Sequence, residues 1–435
     1  MLDKMKAYEG KITDSIQNFK NFLTDFEEIS TLIDKIYVYS HLKHDEDTTN
    51  SFYQEMYSKA VSIITNKNEV LSYVTTEYLK NSGKILEYLN SDKELEIYIH
   101  YFNEIFSLKE HTLSKSDEKL VSNLGEILNS GYETFNTLCH ADMNFPNVDG
   151  EKIGNESFTS ILADIEDREK RRRIYEAYYN EYHKYGNTFA KTLSTNVKVN
   201  NVLARIKKYD SARQASMSSN FIEKNIYDNL IEVINKNLNK LHEYMNYKAK
   251  VLGYDKLYMY DMYKSISKNI NLKFSVEEGK KLVLEALKPL GQEYLDIVQK
   301  CYDENWIDFM PNKGKAGGAY SSGSYTTRPH ILMSWQNNID SVYTLAHEIG
   351  HSIHSYYTRH TQPYVYGSYT MFLAEIASTT NENLLTQYLL EKYKDNKEVT
   401  NYILNEYLDG FRGTVFRQTQ FAEFEDLIHN LEQKG

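Results

Sequence analysis

Proline is scarce in this chain, and its scarcity restricts the possible folds more than any other feature. Five prolines occur among 435 residues, while Leu, Ile, Glu, Lys and Asn fill long stretches. Because a proline inside a helix removes a hydrogen bond and clashes with the preceding turn, few prolines leave room for long helices. Through residues 1–140, apolar residues recur at helical spacing, and strand patterns are nearly absent. The sequence therefore predicts a mostly α-helical protein.

A cluster of turn-forming residues at 145–155 divides the chain. This stretch holds a proline, two asparagines, an aspartate and two glycines, and it is either a hairpin or a joint between lobes. A chain of this length can build more than one hydrophobic core. We therefore predict an N-terminal helical lobe at residues 1–150 and a second domain at residues 151–435.

The composition narrows the choice of partners and compartment. The net charge of −11 argues against nucleic acid and an anionic membrane as partners, since both are negatively charged. No run reaches the ~18 apolar residues that cross a bilayer, and the first residues lack the apolar core of a signal peptide. Cys139 and Cys301 are far apart, which argues against a disulfide framework. We expect a soluble cytoplasmic protein, with peptides or other small ligands as candidate partners.

Residues 347–351 read His-Glu-Ile-Gly-His, the pattern H-E-x-x-H. On a helix, positions i and i+4 lie one turn apart on the same face, so His347 and His351 can share one metal ion. Glu348 then lies beside that ion, where it can take a proton from a water molecule. We expect Asp340 to cap this helix. Four apolar residues fall on the face opposite the histidines: Val342, Leu345, Ile349 and Ile353.

A catalytic zinc ion takes three protein ligands and leaves a position for water, so a third ligand must come from elsewhere. The longer pattern H-E-x-x-H-x-x-G-x-x-H is excluded, because His354 and Tyr357 stand where its glycine and last histidine would be. His354 also lies about 10 Å along the helix axis from His347, too far for the same ion to bind both. Glu375, on a second helical stretch from residue 371 to about 390, is better placed.

Glu382 follows Glu375 by seven residues and lies within about 20° of it around the helix. This position suits a carboxylate that accepts a hydrogen bond from a metal-binding imidazole, and a solvated surface charge is an equally good interpretation. The apolar neighbours of Glu375 argue against its full exposure. We expect the side of this helix that faces the core to consist of Leu373, Ala377, Leu384 and Tyr388.

Four glycines fall within residues 314–323, directly ahead of a strand-like run at 329–335. No Gly-Lys-Ser/Thr follows them, which excludes a phosphate-binding loop. Two interpretations are about equally supported. The stretch is a flexible connection, or its backbone is left bare so that the backbone of a ligand can approach.

The run 314–355, the glutamate 24 residues after the second histidine, and Phe-Leu-Ala-Glu-Ile-Ala-Ser-Thr at 372–379 resemble the M3 metallopeptidases. The closest match is the oligoendopeptidase F branch, and the resemblance extends less specifically from about residue 60 onward. It implies a mostly α fold with two helical lobes flanking a deep cleft. It also implies a zincin-like catalytic core, formed by the second domain, with a small β element near residues 315–335.

The resemblance implies a site as well as a fold. His347, His351 and Glu375 would bind one Zn²⁺ per chain, and Glu348 would act as general base and then as proton shuttle. The strand at 331–333 would line the cleft and pair with the backbone of the substrate. By this resemblance, the protein is a cytoplasmic zinc endopeptidase that hydrolyses short, unstructured peptides.

The resemblance also predicts that the sequence is a fragment. Family members continue beyond the position of Gly435, with a segment whose histidine and tyrosines stabilise the oxyanion. By this resemblance, the zinc ligands and the base lie within the sequence, and we expect the oxyanion-stabilising histidine and tyrosines beyond Gly435. Two alternative functions stay open: a zinc carboxypeptidase of a related helical family, and a zinc- or peptide-binding fragment with impaired catalysis.

Overall fold

The computed structural model describes residues 1–155, 157–267 and 272–435, and helices dominate it, as predicted. The first helices are α1 (Leu2–Lys6), α2 (Ile16–Glu46), α3 (Ser51–Val70), α4 (Val74–Lys80), α5 (Ser82–Ser91), α6 (Ile99–Ser107), α7 (Lys115–Asn123) and α8 (Gly125–Thr137). The middle of the chain contains α9 (Phe158–Asp164), α10 (Arg168–Lys184), α11 (Gly186–Ile206), α12 (Ala212–Ser218), α13 (Lys224–Lys236) and α14 (Leu238–Leu252). The last helices are α15 (Val276–Ala286), α16 (Gln292–Asp303), α17 (Ile339–Thr361), α18 (Met371–Lys392), α19 (Lys397–Phe411) and α20 (Gln418–Lys434).

Strands are few and short. They are β1 (Asn147–Val148), β2 (Glu151–Lys152), β3 (Ile307–Asp308), β4 (Tyr320–Ser322) and β5 (His330–Leu332). Short 3-10 or π segments lie at 93–98, 109–111, 138–142, 259–261, 288–290, 364–366 and 412–417. Across the described ranges, none of the helices combines the length and apolar character that a bilayer crossing needs.

The chain forms two compact units, each built from two stretches of sequence. The first unit comprises Met1–Lys115 and Asn271–Lys392, and the second comprises Ser116–Ile270 and Tyr393–Gly435. The predicted boundary at residue 150 does not separate these units, because it lies inside the second one. There Asp149 and Gly150 adopt positive φ angles of 52° and 88° and close the hairpin between β1 and β2. The turn-forming residues at 145–155 therefore make a hairpin and not a joint.

The first stretch of the first unit has a hydrophobic core of its own. Helix α2 begins after Ser15, whose hydroxyl accepts a hydrogen bond from the Asn18 backbone N–H at 3.1 Å. Its apolar side packs on α4, α5 and α6. The rings of Tyr78 and Phe102 meet edge to face, with centroids 4.9 Å apart. At most 1% of the surface of these central residues is exposed: Phe19, Phe22, Tyr78, Ile85 and Phe102.

The second stretch of the first unit contains a three-stranded sheet of order β3-β5-β4. Strand β5 pairs in parallel with β3 and antiparallel with β4, with Ile331 opposite both Ile307 and Ser321. The predicted small β element near residues 315–335 is therefore confirmed, with β3 added to it. The prediction that the strand at 331–333 pairs with a substrate is wrong, because neighbouring strands occupy both of its edges.

The glycine-rich stretch before the sheet is hydrogen-bonded to the connection between α2 and α3. The backbone N–H of Thr48 donates to the Gly314 carbonyl at 2.7 Å, and the backbone N–H of Ala316 donates to the Asp45 carbonyl at 2.8 Å. The Tyr320 hydroxyl of β4 donates to the Asp45 carboxylate at 3.0 Å. Gly314 has a φ of 89°, which favours glycine. These bonds hold the stretch in place and do not support a flexible connection.

The second unit is held partly by buried ion pairs. Asp261, which is fully buried, pairs with Arg171 at 3.2 Å and with Arg168 at 2.8 Å. The buried Lys248 of α14 lies 3.2 Å from Asp409 of α19. Because a buried charge without a partner costs several kcal/mol, these pairs fix the helices relative to each other within the unit.

Candidate metal centre

Helix α17 carries the H-E-x-x-H motif. Its cap is Asn338 and not the predicted Asp340: the Asn338 side chain accepts a hydrogen bond from the Ser341 backbone N–H at 3.0 Å. The helix thus begins at Ile339, two residues earlier than a cap at Asp340 would allow. The predicted buried face is confirmed, since each of its four members is at most 1% exposed: Val342, Leu345, Ile349 and Ile353. Packing on this face fixes the helix, and the two histidines lie on its other side.

Helix α18 packs closely on α17 at Gly350. A Cβ atom at this position would lie 2.6 Å from the Ser378 Cα and 2.8 Å from the Ala377 carbonyl oxygen. The Asn381 side chain donates to the Ala346 carbonyl at 3.0 Å. The predicted core-facing side of α18 is therefore wrong, and Leu373 is 42% exposed. Small and polar residues make the close contact instead, and the buried residues of α18 are Ser378, Asn381, Leu385, Thr386 and Leu389.

We expect Gly350→Ala to destabilise the protein by about 1–3 kcal/mol, because the added methyl group would force the backbones of α17 and α18 apart. Urea denaturation would measure the change. Gly83→Ala is the matched control, since Gly83 lies in α5 with nothing within 4 Å of an added Cβ. That control should be neutral or stabilising by up to about 1 kcal/mol. Equal stability of the two variants would contradict the close approach.

Three side-chain atoms from α17 and α18 converge at one point. The Nε2 atoms of His347 and His351 lie 3.1 Å apart, and each is 3.4 Å from Oε2 of Glu375. A tetrahedral ion with bonds of about 2.0–2.1 Å holds its nitrogen and oxygen ligands about 3.3–3.4 Å apart. The three measured separations are close to this value. The residues predicted from the sequence thus form a group that fits a metal ion.

The hydrogen bonds of the histidines also fit a cation. Nδ1 of His347 lies 2.6 Å from the Glu382 carboxylate. Its N–H group donates a hydrogen bond to this carboxylate, so the lone pair of the imidazole is on Nε2. His351 is hydrogen-bonded to the backbone of Ala374. Lone pairs of the imidazoles and the Glu375 carboxylate therefore face one another, an arrangement that a positive ion stabilises. The Glu382 hydrogen bond raises the pKa of His347, whereas burial lowers the pKa of His351.

Glu348 lies next to this group but does not belong to it. It is 6% exposed, and its Oε2 atom has no hydrogen-bond partner within the part of the chain that the structure describes. The backbone of Ser321 in β4 hydrogen-bonds to its carboxylate. Burial raises the pKa of Glu348 to about 7, against the opposing charge of His347. A carboxylate with a pKa near neutrality and a free oxygen can both accept and release a proton.

Two further side chains support the group. Glu382 is partly exposed and contacts Nδ1 of His347. This contact favours the interpretation that its carboxylate orients the imidazole over that of a solvated surface charge. The Ser378 hydroxyl donates to Oε2 of Glu375 at 2.7 Å. Ser378 was not predicted from the sequence, although its spacing of three residues from Glu375 places it on the same helical face. Glu375 itself is 60% exposed, more than its apolar neighbours indicated.

His354 lies outside the group, as predicted from its distance to His347. Its ring stacks on Tyr369 with centroids 3.7 Å apart, and Nδ1 is buried without a hydrogen-bond partner. The Ser355 hydroxyl is hydrogen-bonded to the Tyr369 hydroxyl at 3.0 Å. Tyr369 therefore connects the end of α17 to the segment before α18. This contact was not predicted from the sequence.

Two histidines and a glutamate around one point, beside a buried glutamate, are typical of metallopeptidases with an H-E-x-x-H helix. Comparison with known proteins agrees with this class. The family model described as Peptidase family M3 matches residues 161–435, and the one described as Oligopeptidase F matches residues 81–145. The chain belongs to peptidase family M3, within its oligopeptidase F group, and this is a family of metalloendopeptidases.

Individual relatives are similar over nearly the whole chain. Oligopeptidase PepF of Bacillus subtilis is 44% identical over 442 residues, and Group B oligopeptidase PepB of Streptococcus agalactiae is 44% identical over 443 residues. Both alignments cover 100% of this chain. They cover 66% of the Bacillus protein and 73% of the streptococcal one. This chain therefore spans about two thirds of the length of the curated relatives that it matches.

Solved structures share the fold. The crystal structure of oligoendopeptidase F from Enterococcus faecium superposes with a TM-score of 0.71 at 36% identity, covering 100% of this chain and 73% of that one. A candidate peptidase from Chlamydophila abortus superposes with a TM-score of 0.87 at 33% identity, covering 97% and 71%. Both superpositions support a helical peptidase fold.

Proposed function

We propose that the protein is a zinc-dependent endopeptidase that hydrolyses short oligopeptides, with one Zn²⁺ bound per chain. The convergence of His347, His351 and Glu375 at separations of 3.1 and 3.4 Å carries this proposal. The names of the relatives, oligopeptidase and oligoendopeptidase, support peptides as the substrate class. Two buried free cysteines support a cytoplasmic location, which cell fractionation would test.

A zinc ion in this group would supply a Lewis acid that activates water and polarises the peptide carbonyl. The proton is moved by Glu348. Its free Oε2 atom takes a proton from the attacking water and then passes that proton to the nitrogen of the leaving amine. The backbone hydrogen bond from Ser321 to the carboxylate helps Glu348 to keep its orientation through both transfers.

Strand β4 is the best candidate to bind the substrate backbone. Among the described residues it pairs with β5 alone, and its middle residue, Ser321, contacts Glu348. The Ser321 hydroxyl also lies 2.8 Å from the Ser352 hydroxyl of α17, which fixes the strand against the motif helix. A peptide bound along the free edge of β4 would pass directly by the proposed base.

Peptides with blocked ends test the proposal against its alternatives. An endopeptidase should cleave an N-acetylated, C-amidated octapeptide at internal bonds, because it needs no free terminus. A zinc carboxypeptidase would cleave only the unblocked peptide, from its C-terminus. A binding fragment with impaired catalysis would bind zinc without cleaving either peptide. Mass spectrometry of the products, with zinc content measured on the same sample, distinguishes the three outcomes, and only internal cleavage supports the proposal.

A further inference from the structure

A cavity in the first unit contains two charged side chains that form no ion pair with the described residues. Its volume is about 370 Å³, and none of the five predicted site residues lines it. It is bounded by α2, the region of Tyr98 and Tyr101, residues 323–325, the end of α17 and residues 364–368. Ligand sites in proteins have volumes of about 300–1,000 Å³, so this cavity suits a small molecule.

Arg359, near the end of α17, is the positive group of the cavity. Its Nη2 atom donates to the Gly323 carbonyl at 3.1 Å, whereas Nη1 is buried and has no hydrogen-bond partner among the described residues. It forms no ion pair with a carboxylate of the described residues. Burial also lowers the pKa of Arg359 below its ordinary value. Buried charges in proteins are normally paired, so this guanidinium lacks an anion.

Asp34 of α2 is the free negative group of the same cavity. It is half-buried and makes no hydrogen bond or ion pair with the residues that the structure describes. Burial raises its pKa, and the charge of Lys67 opposes this only in part. The other carboxylate on the cavity wall, Glu27, already accepts a hydrogen bond from the Tyr98 hydroxyl at 2.6 Å. Asp34 is therefore available to a cation.

The walls between these charges are largely aromatic. They include Phe26, Tyr37, Tyr101, Tyr325 and Tyr364. Aromatic faces bind apolar side chains and also attract ammonium groups. A ligand that matches both charges and these walls has a free amine, a free carboxylate and an apolar side chain. A long peptide does not fit a volume of about 370 Å³.

We propose that this cavity binds a free amino acid or dipeptide as its zwitterion, with the ammonium at Asp34 and the carboxylate at Arg359. The site is separate from the metal centre, so the proposal does not depend on peptidase activity. Its ligands belong to the chemical class that complete hydrolysis of peptides releases.

Isothermal titration calorimetry with leucyl-phenylalanine, in the presence of a metal chelator, tests the proposal. The free dipeptide should bind, and N-acetyl-leucyl-phenylalanine and leucyl-phenylalanine amide should each bind about tenfold more weakly, because each lacks one charged end. Absence of binding by the free dipeptide would overturn the proposal. Equal binding of the blocked and free forms would overturn it as well. Binding that requires added zinc would assign the dipeptide to the metal centre instead.

Substitutions assign each end of the ligand. Asp34→Asn should remove the preference for the free amine and keep the preference for the free carboxylate, and Arg359→Gln should have the reverse effect. Asp296→Asn, on the exposed surface of α16, makes the same chemical change as a control and should keep both preferences. If Arg359→Gln does not fold, the Asp34→Asn titrations still decide the question. An unchanged preference for the free amine in that variant would refute the site.

Discussion

Glu348→Gln is expected to abolish peptide hydrolysis while the protein keeps its metal. The amide cannot take a proton from water, and general base catalysis contributes about 10²–10⁴-fold to such reactions, so kcat should fall by about that factor. Glutamine has nearly the same shape, and the Glu348 side chain is 6% exposed with one unpaired oxygen, so the fold should tolerate it. Hydrolysis of an internally quenched fluorescent peptide measures the rate, and atomic emission measures the zinc.

Glu293→Gln provides the matched control for this experiment. Glu293 is in the same unit, where it accepts a hydrogen bond from the Tyr357 hydroxyl at 3.3 Å, away from the metal centre. The Glu293→Gln variant should hydrolyse the peptide at the wild-type rate. If the activity of Glu348→Gln were within about tenfold of the wild-type activity, a different group would have to act as the base.

His351→Ala is expected to lose bound zinc. Alanine removes one of three ligands and leaves His347 and Glu375, which cannot complete the three-ligand set of a catalytic site. The affinity should therefore fall by more than the roughly 10–100-fold that follows from changing an outer hydrogen-bond partner. Competition with a chromophoric chelator measures the zinc affinity without any need for turnover.

Two further variants calibrate the loss of zinc. Glu382→Gln should weaken zinc binding by about 10–100-fold, because the amide holds the imidazole of His347 less firmly. His360→Ala should bind zinc normally, since this exposed histidine is hydrogen-bonded to the Tyr356 carbonyl on the same helix. A full zinc content in His351→Ala would refute the ligand assignment. If His360→Ala lost more zinc affinity than Glu382→Gln, the proposed role of Glu382 would be refuted.

The sequence predicted those features that depend on local geometry. The four-residue spacing of His347 and His351 acquires its meaning from the helix alone, and the buried face of α17 follows from the same periodicity. The helical class followed from the scarcity of proline. The prediction of Glu375 required more than helical spacing, because this residue lies on a different helix. It came from the resemblance of residues 372–379 to the family.

Features that depend on distant partners were not predictable in this way. The family resemblance predicted that the strand at 331–333 pairs with the substrate. Strand β5 is instead central, because β3 and β4 pair with it from elsewhere in the chain. Helix α18 buries small and polar residues because Gly350 brings the α17 backbone close, and hydrophobic periodicity cannot show this. Asn338 and Asp340 are equally good caps by residue type, so the sequence did not distinguish them.

The bonds between the glycine-rich stretch and the α2–α3 connection have a consequence for synthesis on the ribosome. Thr48 and Gly314 are separated by 266 residues, and the whole first segment of the second unit, Ser116–Ile270, is translated between them. All residues of the core around Phe19 and Phe102 lie at or before Phe106, so this core can form early. The support of β4 forms only after ribosomal synthesis has passed Gly314, because closing so long a loop must await both ends. A nascent chain can therefore form the core of its first helices well before it acquires a positioned Glu348.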